Sequence, residues 1–204
     1  MKLTISKKTM AAFCANDGLR PAMEHVYFDT QEKTLVATDG HAMVMIEQDS
    51  DYTEDLLIPL DAFPEKRSTY SVIDSVNEKT LEVSFYLESR KDYKQDALLY
   101  KKTVARCLER FPNYKNVIHP VEEYAPIEQI CVDSRLFTRF ANLGDALGNA
   151  DLLLDFIAPT SAIMITGIGF MGMIMPLNGI AIKAIRDQNM ERAKALNNRH
   201  NEDA

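Results

Sequence analysis

The glycines of Gly167-Ile168-Gly169-Phe170-Met171-Gly172 fit the spacing of a dinucleotide fingerprint and follow a strand-like run. That chemistry needs a helix opening at the glycines, so that a pyrophosphate can sit on its N-terminus. Pro176 interrupts the chain four residues after Gly172, which leaves no such helix. The spacing reads instead as glycines that bend or thin a core strand or hairpin. His25, His41, His119 and His200 are scattered with no His-x-x-x-His pair, so no zinc donor set is local. Cys14, Cys107 and Cys131 are odd in number and widely spaced, which gives neither a disulfide framework nor a Cys-x-x-Cys site. Asp39-Gly40-His41 puts an acid near an imidazole, but adjacency in sequence does not set geometry, and no Gly-x-Ser-x-Gly elbow is present. Turn chemistry accounts for the Asp-Gly pair. No catalytic residue, metal or cofactor is expected. What remains is charge: at about 100° per residue, Arg135, Arg139 and Asn142 form a stripe a quarter-turn from apolar Leu136, Phe137, Phe140, Leu143 and Leu147.

Three modules must position these residues. In the first, Leu3 and Ile5 read as a strand and Ser6 as a cap, with Met10, Phe13 and Cys14 at helical spacing before Asp17-Gly18. Strands follow at His25 to Asp29 and Thr34 to Glu47, and an acidic loop closes the module at Asp49 to Asp55. The second begins at Leu56-Leu57-Ile58-Pro59, continues through a helix candidate from Leu60 to Glu65, and gives strands on either side of Asn77-Glu78-Lys79 and again from Ala97 to Leu108. Glu-Lys-Thr-Leu occurs at Glu32 to Leu35 and again at Glu78 to Leu81, each time entering a strand. Arg90 to Arg110 holds seven basic and three acidic residues, which suits a solvated edge whose lysines discourage strand pairing. Phe111 to Pro126 is proline-rich and reads as a linker. The third module has a strand at Gln129 to Val132, Asp133 as cap, a helix from Arg135 to Leu147, and strands at Leu152 to Ile157, Ala162 to Thr166 and Phe170 to Leu177. Its opening echoes the first: Phe140 stands eight residues after Val132, as Phe13 stands eight after Ile5.

With 204 residues and 46% apolar content the chain can bury a core. A net charge of -7, from 23 basic and 30 acidic residues, argues against coating nucleic acid by bulk charge, although a local basic surface is still allowed. The 27 uncharged residues from Phe156 to Ile182 are long enough to span a bilayer. Pro159, Pro176, four glycines and several polar residues interrupt them, so a membrane anchor is the lesser reading. The first eight residues hold no apolar run of signal-peptide length, and a reducing, cytosolic setting is expected.

Three segments together resemble the bacterial DNA polymerase III β-subunit, the replicative sliding clamp. Thr34-Leu35-Val36-Ala37-Thr38-Asp39-Gly40-His41-Ala42-Met43-Val44 is similar to that family's signature hairpin strand. Phe111-Pro112-Asn113-Tyr114 through Pro120 resembles its Phe-Pro-Asp-Tyr linker, and Met173-Ile174-Met175-Pro176-Leu177 its C-terminal Met-Pro strand. The segments occur in the family's order.

The resemblance implies an α+β DNA-clamp fold built of helix-plus-antiparallel-strand modules, with helices facing DNA. It divides the chain into a clamp-like domain (1–112), a linker (113–126), a half-domain-like module (127–177) and a helical tail (178–204). By the same resemblance, Lys7, Lys8, Arg20, Arg135 and Arg139 would touch double-stranded DNA weakly, and the ring would hold it topologically. Pro120, Met173, Ile174, Met175, Pro176 and Leu177 would build a pocket for peptides of polymerases and clamp-loader-type proteins. A non-enzymatic, cytoplasmic, nucleoid-associated processivity factor is implied, with a homo-oligomer needed to close a ring. The β-subunit has three domains of two modules each, and this chain shows about three modules. That shortfall supports an alternative, a clamp-fold module that engages proteins without encircling DNA. The tail is expected to lie near the pocket and cover it.

Overall fold

The computed structural model describes residues 1–89, 95–118, 130, 132–148, 151–156, 161–177 and 183. Among these residues eleven strands and two α-helices follow one another as β1 (Lys2–Leu3), α1 (Lys7–Ala11), β2 (His25–Asp29), β3 (Thr34–Thr38), β4 (Ala42–Glu47), β5 (Leu56–Pro59), β6 (Tyr70–Val76), β7 (Thr80–Leu87), β8 (Ala97–Ala105), α2 (Ser134–Ala146), β9 (Leu153–Phe156), β10 (Ile163–Gly167) and β11 (Phe170–Ile174). They form a four-stranded sheet, β1-β6-β7-β8, and a seven-stranded one, β5-β2-β3-β4-β11-β10-β9. Every neighbouring pair is antiparallel.

Leaving out the edge strand β5, the other six strands of the larger sheet are two three-stranded meanders placed back to back. The meanders β2-β3-β4 and β9-β10-β11 meet through their last strands, with Val44 opposite Gly172 and Ala42 opposite Ile174. The helices repeat this relation. Ser6 caps α1 by accepting from Thr9 N–H, Asp133 caps α2 by accepting from Arg135 N–H, and the echoed Phe13 and Phe140 pack edge to face with ring centroids 5.0 Å apart. Gly172 makes that packing possible, because a Cβ there would meet Phe140 at 2.2 Å and the Met43 carbonyl at 2.6 Å. The two halves share one core: Phe13, Phe28, Val44, Ile46, Leu136, Phe140, Ile165 and Ile174 belong to one buried cluster with Leu3, Ile73, Val83 and Phe85 of the smaller sheet. An ion network fastens α1 to that sheet, with Lys7 and Lys102 both donating to Asp61, at 2.5 and 2.8 Å.

Period-two alternation decides what each face of the larger sheet carries. Leu35, Ala37, Val44, Ile46, Ile163, Ile165 and Ile174 point to the helices. Val36, Met43, Met45, Met164 and Met173 point the other way and are covered by Phe111 and Tyr114.

Several expectations are corrected. The strand read from Thr34 to Glu47 breaks at Asp39-Gly40-His41, where Gly40 takes φ +87°. α1 ends at Ala11, so Phe13 and Cys14 lie beyond it. The helix candidate at 60–65 is a 3-10 turn over Leu60–Ala62, since Pro64 lacks the N–H to continue it. Ile130 and Val132 are not in a strand, and the other residues of that expected strand lie outside the described ones. β11 stops at Ile174, two residues before Pro176. Within the uncharged stretch weighed as a membrane anchor, residues 163–174 form the β10-β11 hairpin, turning at Ile168-Gly169 with Gly169 at φ +78°, and no helix among the described residues is long and apolar enough to cross a membrane. The tail expected to cover the pocket lies outside the described residues, apart from Lys183.

Candidate peptide-docking site

On the outer face of the larger sheet the alternation leaves methionine at successive outward positions of β4 and β11, and the chain after β8 is laid across it. Two aromatic contacts and one buried carboxylate hold that segment down. Tyr27 stacks on Phe111 with centroids 5.0 Å apart and meets Tyr114 edge-on at 6.3 Å. Tyr114 Oη donates to buried Asp29 Oδ2 at 2.8 Å, and Lys115 pairs with the same oxygen at 3.1 Å and with Glu32 at 2.8 Å. Burial opposes charge on Asp29. Hydrogen bonds from the Glu32 N–H, the Tyr114 hydroxyl and Lys115 nonetheless keep its carboxyl below the ordinary value. Burial, reinforced by that carboxylate, pushes the Tyr114 hydroxyl well above its own.

Between this segment and the sheet lies an apolar cavity of about 210 Å³. Met173 and Met175 come from the end of β11, Pro112, Asn113, Tyr114 and Val117 from the segment after β8, and Thr38, Gly40, His41, Ala42 and Met43 from the β3–β4 turn. Met23 closes it from the 3-10 turn Pro21–Glu24 that follows α1. Met175 N–H donates to the His41 carbonyl at 3.0 Å, carrying the β4–β11 ladder one step past Ile174 to the cavity mouth, where Met175 is 44% exposed. Thioethers with several rotatable bonds line a space that adapts to varied apolar side chains.

Of the residues expected to build a partner pocket, Met173 and Met175 line this cavity. Ile174 does not: strand alternation turns it to the opposite face, where it is fully buried in the helix-side core. Pro176 and Leu177 are partly to well exposed and stand beyond the lining, and Pro120 lies outside the described residues. The sequence reading missed Met23, His41, Met43, Pro112, Tyr114 and Val117. Alternation along β4 was the available signal for Met43, and the linker motif itself held Pro112 and Tyr114.

The five basic residues divide differently. Lys7 is paired with Asp61 and Glu65. Arg20 donates through Nε and Nη2 to Asp17 Oδ2, at 2.8 and 2.6 Å, and through Nη1 to the Asp39 carbonyl at 2.9 Å. Arg135 pairs with its own cap Asp133 at 2.5 Å while staying 86% exposed. Arg139 reaches Asp39 Oδ2 at 2.6 Å. Lys8 is exposed and has no ion pair among the described residues. The structure thus brings Arg20 and Arg139 together at Asp39, in the turn whose Thr38, Gly40 and His41 line the cavity, and the three other expected cations stand on the two packed helices, α1 and α2.

No protein-family model and no curated protein matches the sequence. Solved structures do. The Helicobacter pylori β clamp bound to a DNA ligase peptide superposes with a TM-score of 0.57 at 13% identity, over 87% of this chain and 65% of its own. The Thermotoga maritima DNA polymerase III β-subunit gives 0.54 at 12%, over 87% and 65%. The Borrelia burgdorferi β-subunit, in complex with a natural product, gives 0.51 at 15%, over 88% and 64%. The chain therefore spans just under two thirds of each of these clamps. With its paired helices under antiparallel sheets, this α+β chain has the fold of the bacterial DNA polymerase III β-subunit, the sliding clamp.

Proposed function

We propose that this protein is a non-enzymatic, sliding-clamp-like replication factor. Its outer-face pocket takes a short hydrophobic segment of a polymerase or clamp-loader-type protein and so tethers that partner to double-stranded DNA. The observation that carries this reading is the pocket itself: all three sequence segments that resemble the clamp family, far apart along the chain, line one apolar cavity with a half-exposed methionine at its mouth. A concave, thioether-lined surface suits Leu and Phe side chains of an extended peptide. The Helicobacter pylori clamp, similar in fold, carries a DNA ligase peptide, which is the same class of ligand. In this reading Lys7, Lys8, Arg20, Arg135 and Arg139 make weak contacts to DNA, several copies close a ring, and the protein works in the cytoplasm at the nucleoid. Pro120, Pro176 and Leu177 extend the pocket rim, and the division into 1–112, 113–126, 127–177 and 178–204 describes how the clamp modules are cut.

A specific observation favours a second reading, a clamp-fold module that engages proteins without encircling DNA. Lys7, Arg20, Arg135 and Arg139 already face carboxylates, so a phosphate must displace an internal partner to reach any of them. Light scattering across a concentration range, with and without primed circular DNA, separates the two. A closed oligomer that stays on circular DNA and runs off after linearisation supports the clamp. A monomer indifferent to DNA that binds a fluorescein-labelled Leu/Phe peptide supports the second reading, and a protein that does neither contradicts both.

A further inference from the structure

The β3–β4 turn makes its own internal bonds. Asp39 Oδ1 accepts from the His41 and Ala42 N–H groups at 2.9 and 3.0 Å, and Thr38 Oγ1 accepts from the Gly40 N–H at 3.1 Å. The atoms left over on Asp39 are held from outside. Arg139 of α2 takes Oδ2 at 2.6 Å, in a pair whose side chains are 25% and 13% exposed, and Arg20 takes the carbonyl at 2.9 Å. Arg20 is itself fixed by Asp17, so acid and base alternate along Asp17, Arg20, Asp39 and Arg139. Gly40 lets Arg20 lie close, since a Cβ there would come within 3.1 Å of Nη1. Neither arginine lines the cavity, yet the turn they grip is its wall and bonds through the His41 carbonyl to Met175.

We propose that Arg20 and Arg139 are positioning residues of the apolar pocket: by gripping Asp39 they set the separation between His41 and the Met173–Met175 strand end, and with it the fit of a bound peptide. This rests on the pocket being a peptide site. It assigns these two guanidiniums to shaping the pocket, so that a DNA phosphate reaches them only in competition with Asp17 and Asp39. Oδ1 and Oδ2 have separate duties, so Asp39→Asn keeps an acceptor for the turn and removes the charge that holds Arg139. Arg139→Lys keeps a cation for Oδ2.

Two measurements on the full chain test this. The first is anisotropy of a fluorescein-labelled Leu/Phe peptide with wild type, Arg139→Gln, Arg139→Lys, Asp39→Asn, the Asp39→Asn/Arg139→Gln double variant and Arg135→Gln. The expected result is an affinity loss of about fivefold for Arg139→Gln, partial rescue by Arg139→Lys, no further loss in the double variant, and no change for Arg135→Gln. The second is amide hydrogen exchange at Met175, expected to speed about tenfold in Arg139→Gln and not in Arg135→Gln. Unchanged peptide affinity in Arg139→Gln and Asp39→Asn, alongside loss in Met175→Glu, overturns the positioning role and leaves the peptide site standing. A wild type that binds no peptide sinks the peptide site. In that case the exchange rate alone decides whether Arg139 fixes the wall, and an unchanged rate overturns that too.

Discussion

The two faces of the seven-stranded sheet are built from the same strands and do opposite things with their residues. The helix side is an aliphatic and aromatic core in which Phe13 and Phe140 interlock over Gly172. The outer side carries methionines that are buried under the Phe111–Lys115 segment apart from Met171 and the half-exposed Met175, and that segment leaves a cavity beside them. Charge follows the same division. Basic residues around the helices are mostly spent on internal carboxylates, and the outer cavity is nearly free of charged lining. Basic residues counted along a chain are therefore a poor measure of free positive surface.

Breaking the helix side has the largest expected effect. Phe140→Ala should cost about 3–5 kcal/mol of stability through the lost transfer energy and the cavity left against Phe13 and Phe170. Denaturant unfolding monitored by circular dichroism checks this, and a loss below about 1 kcal/mol would mean that the helices do not interlock as described. On the outer face, Met175→Glu should weaken binding of a Leu/Phe peptide about tenfold or more while leaving the thermal midpoint unchanged, because the side chain is half exposed at the mouth. Asp29→Asn lies between the two. It removes the carboxylate that receives Tyr114 and Lys115, and should cost roughly 1–3 kcal/mol and loosen the segment over the pocket, read as proteolysis after Lys115.

The ion network at α1 gives a pH signature. Hydrogen bonds from Lys102 and then Lys7 hold Asp61 at about 2, below its ordinary 3.8. Between those values the unfolded chain binds the proton first, so the stabilisation is complete above about pH 4 and is lost as pH falls toward 2. The group is half exposed, so the effect should be under about 1 kcal/mol, seen as a melting difference between wild type and Asp61→Asn that shrinks on acidification. The smallest effect is on DNA: Lys8→Gln should lower the salt slope of duplex binding by about one unit or less. A larger change for Arg139→Gln than for Lys8→Gln would mean that DNA takes Arg139 from Asp39, and would move the division between the faces.

Much of this was legible from residues alone. The Phe13 and Phe140 echo predicted a repeated helix-and-strand unit, and the structure joins those residues across the repeat. The three family-like segments pointed to the clamp fold, and Met173 and Met175 to the cavity. The break at Asp39-Gly40-His41 was signalled by the turn chemistry of Asp-Gly, but the β-rich residues that flank it on both sides read as one continuous strand. Ile174 faces the core although it stands within the Met-Pro motif, because alternation along β11 sends each second residue to the helix side. The pairing of Arg139 with Asp39 joins residues 100 positions apart, a distance over which no periodicity reports. Asp29 was missed for the same reason, since its partners Tyr114 and Lys115 arrive only when the linker folds back over β2.

The claim that the outer cavity is the working surface can be tested on the methionines themselves. Titration of methyl-labelled protein with a Leu/Phe peptide should shift the methyl resonances of Met23, Met43, Met173 and Met175 saturably while leaving Met10, sealed in the helix-side core, unmoved. Saturable shifts confined to other methyls, or none at all, would contradict it.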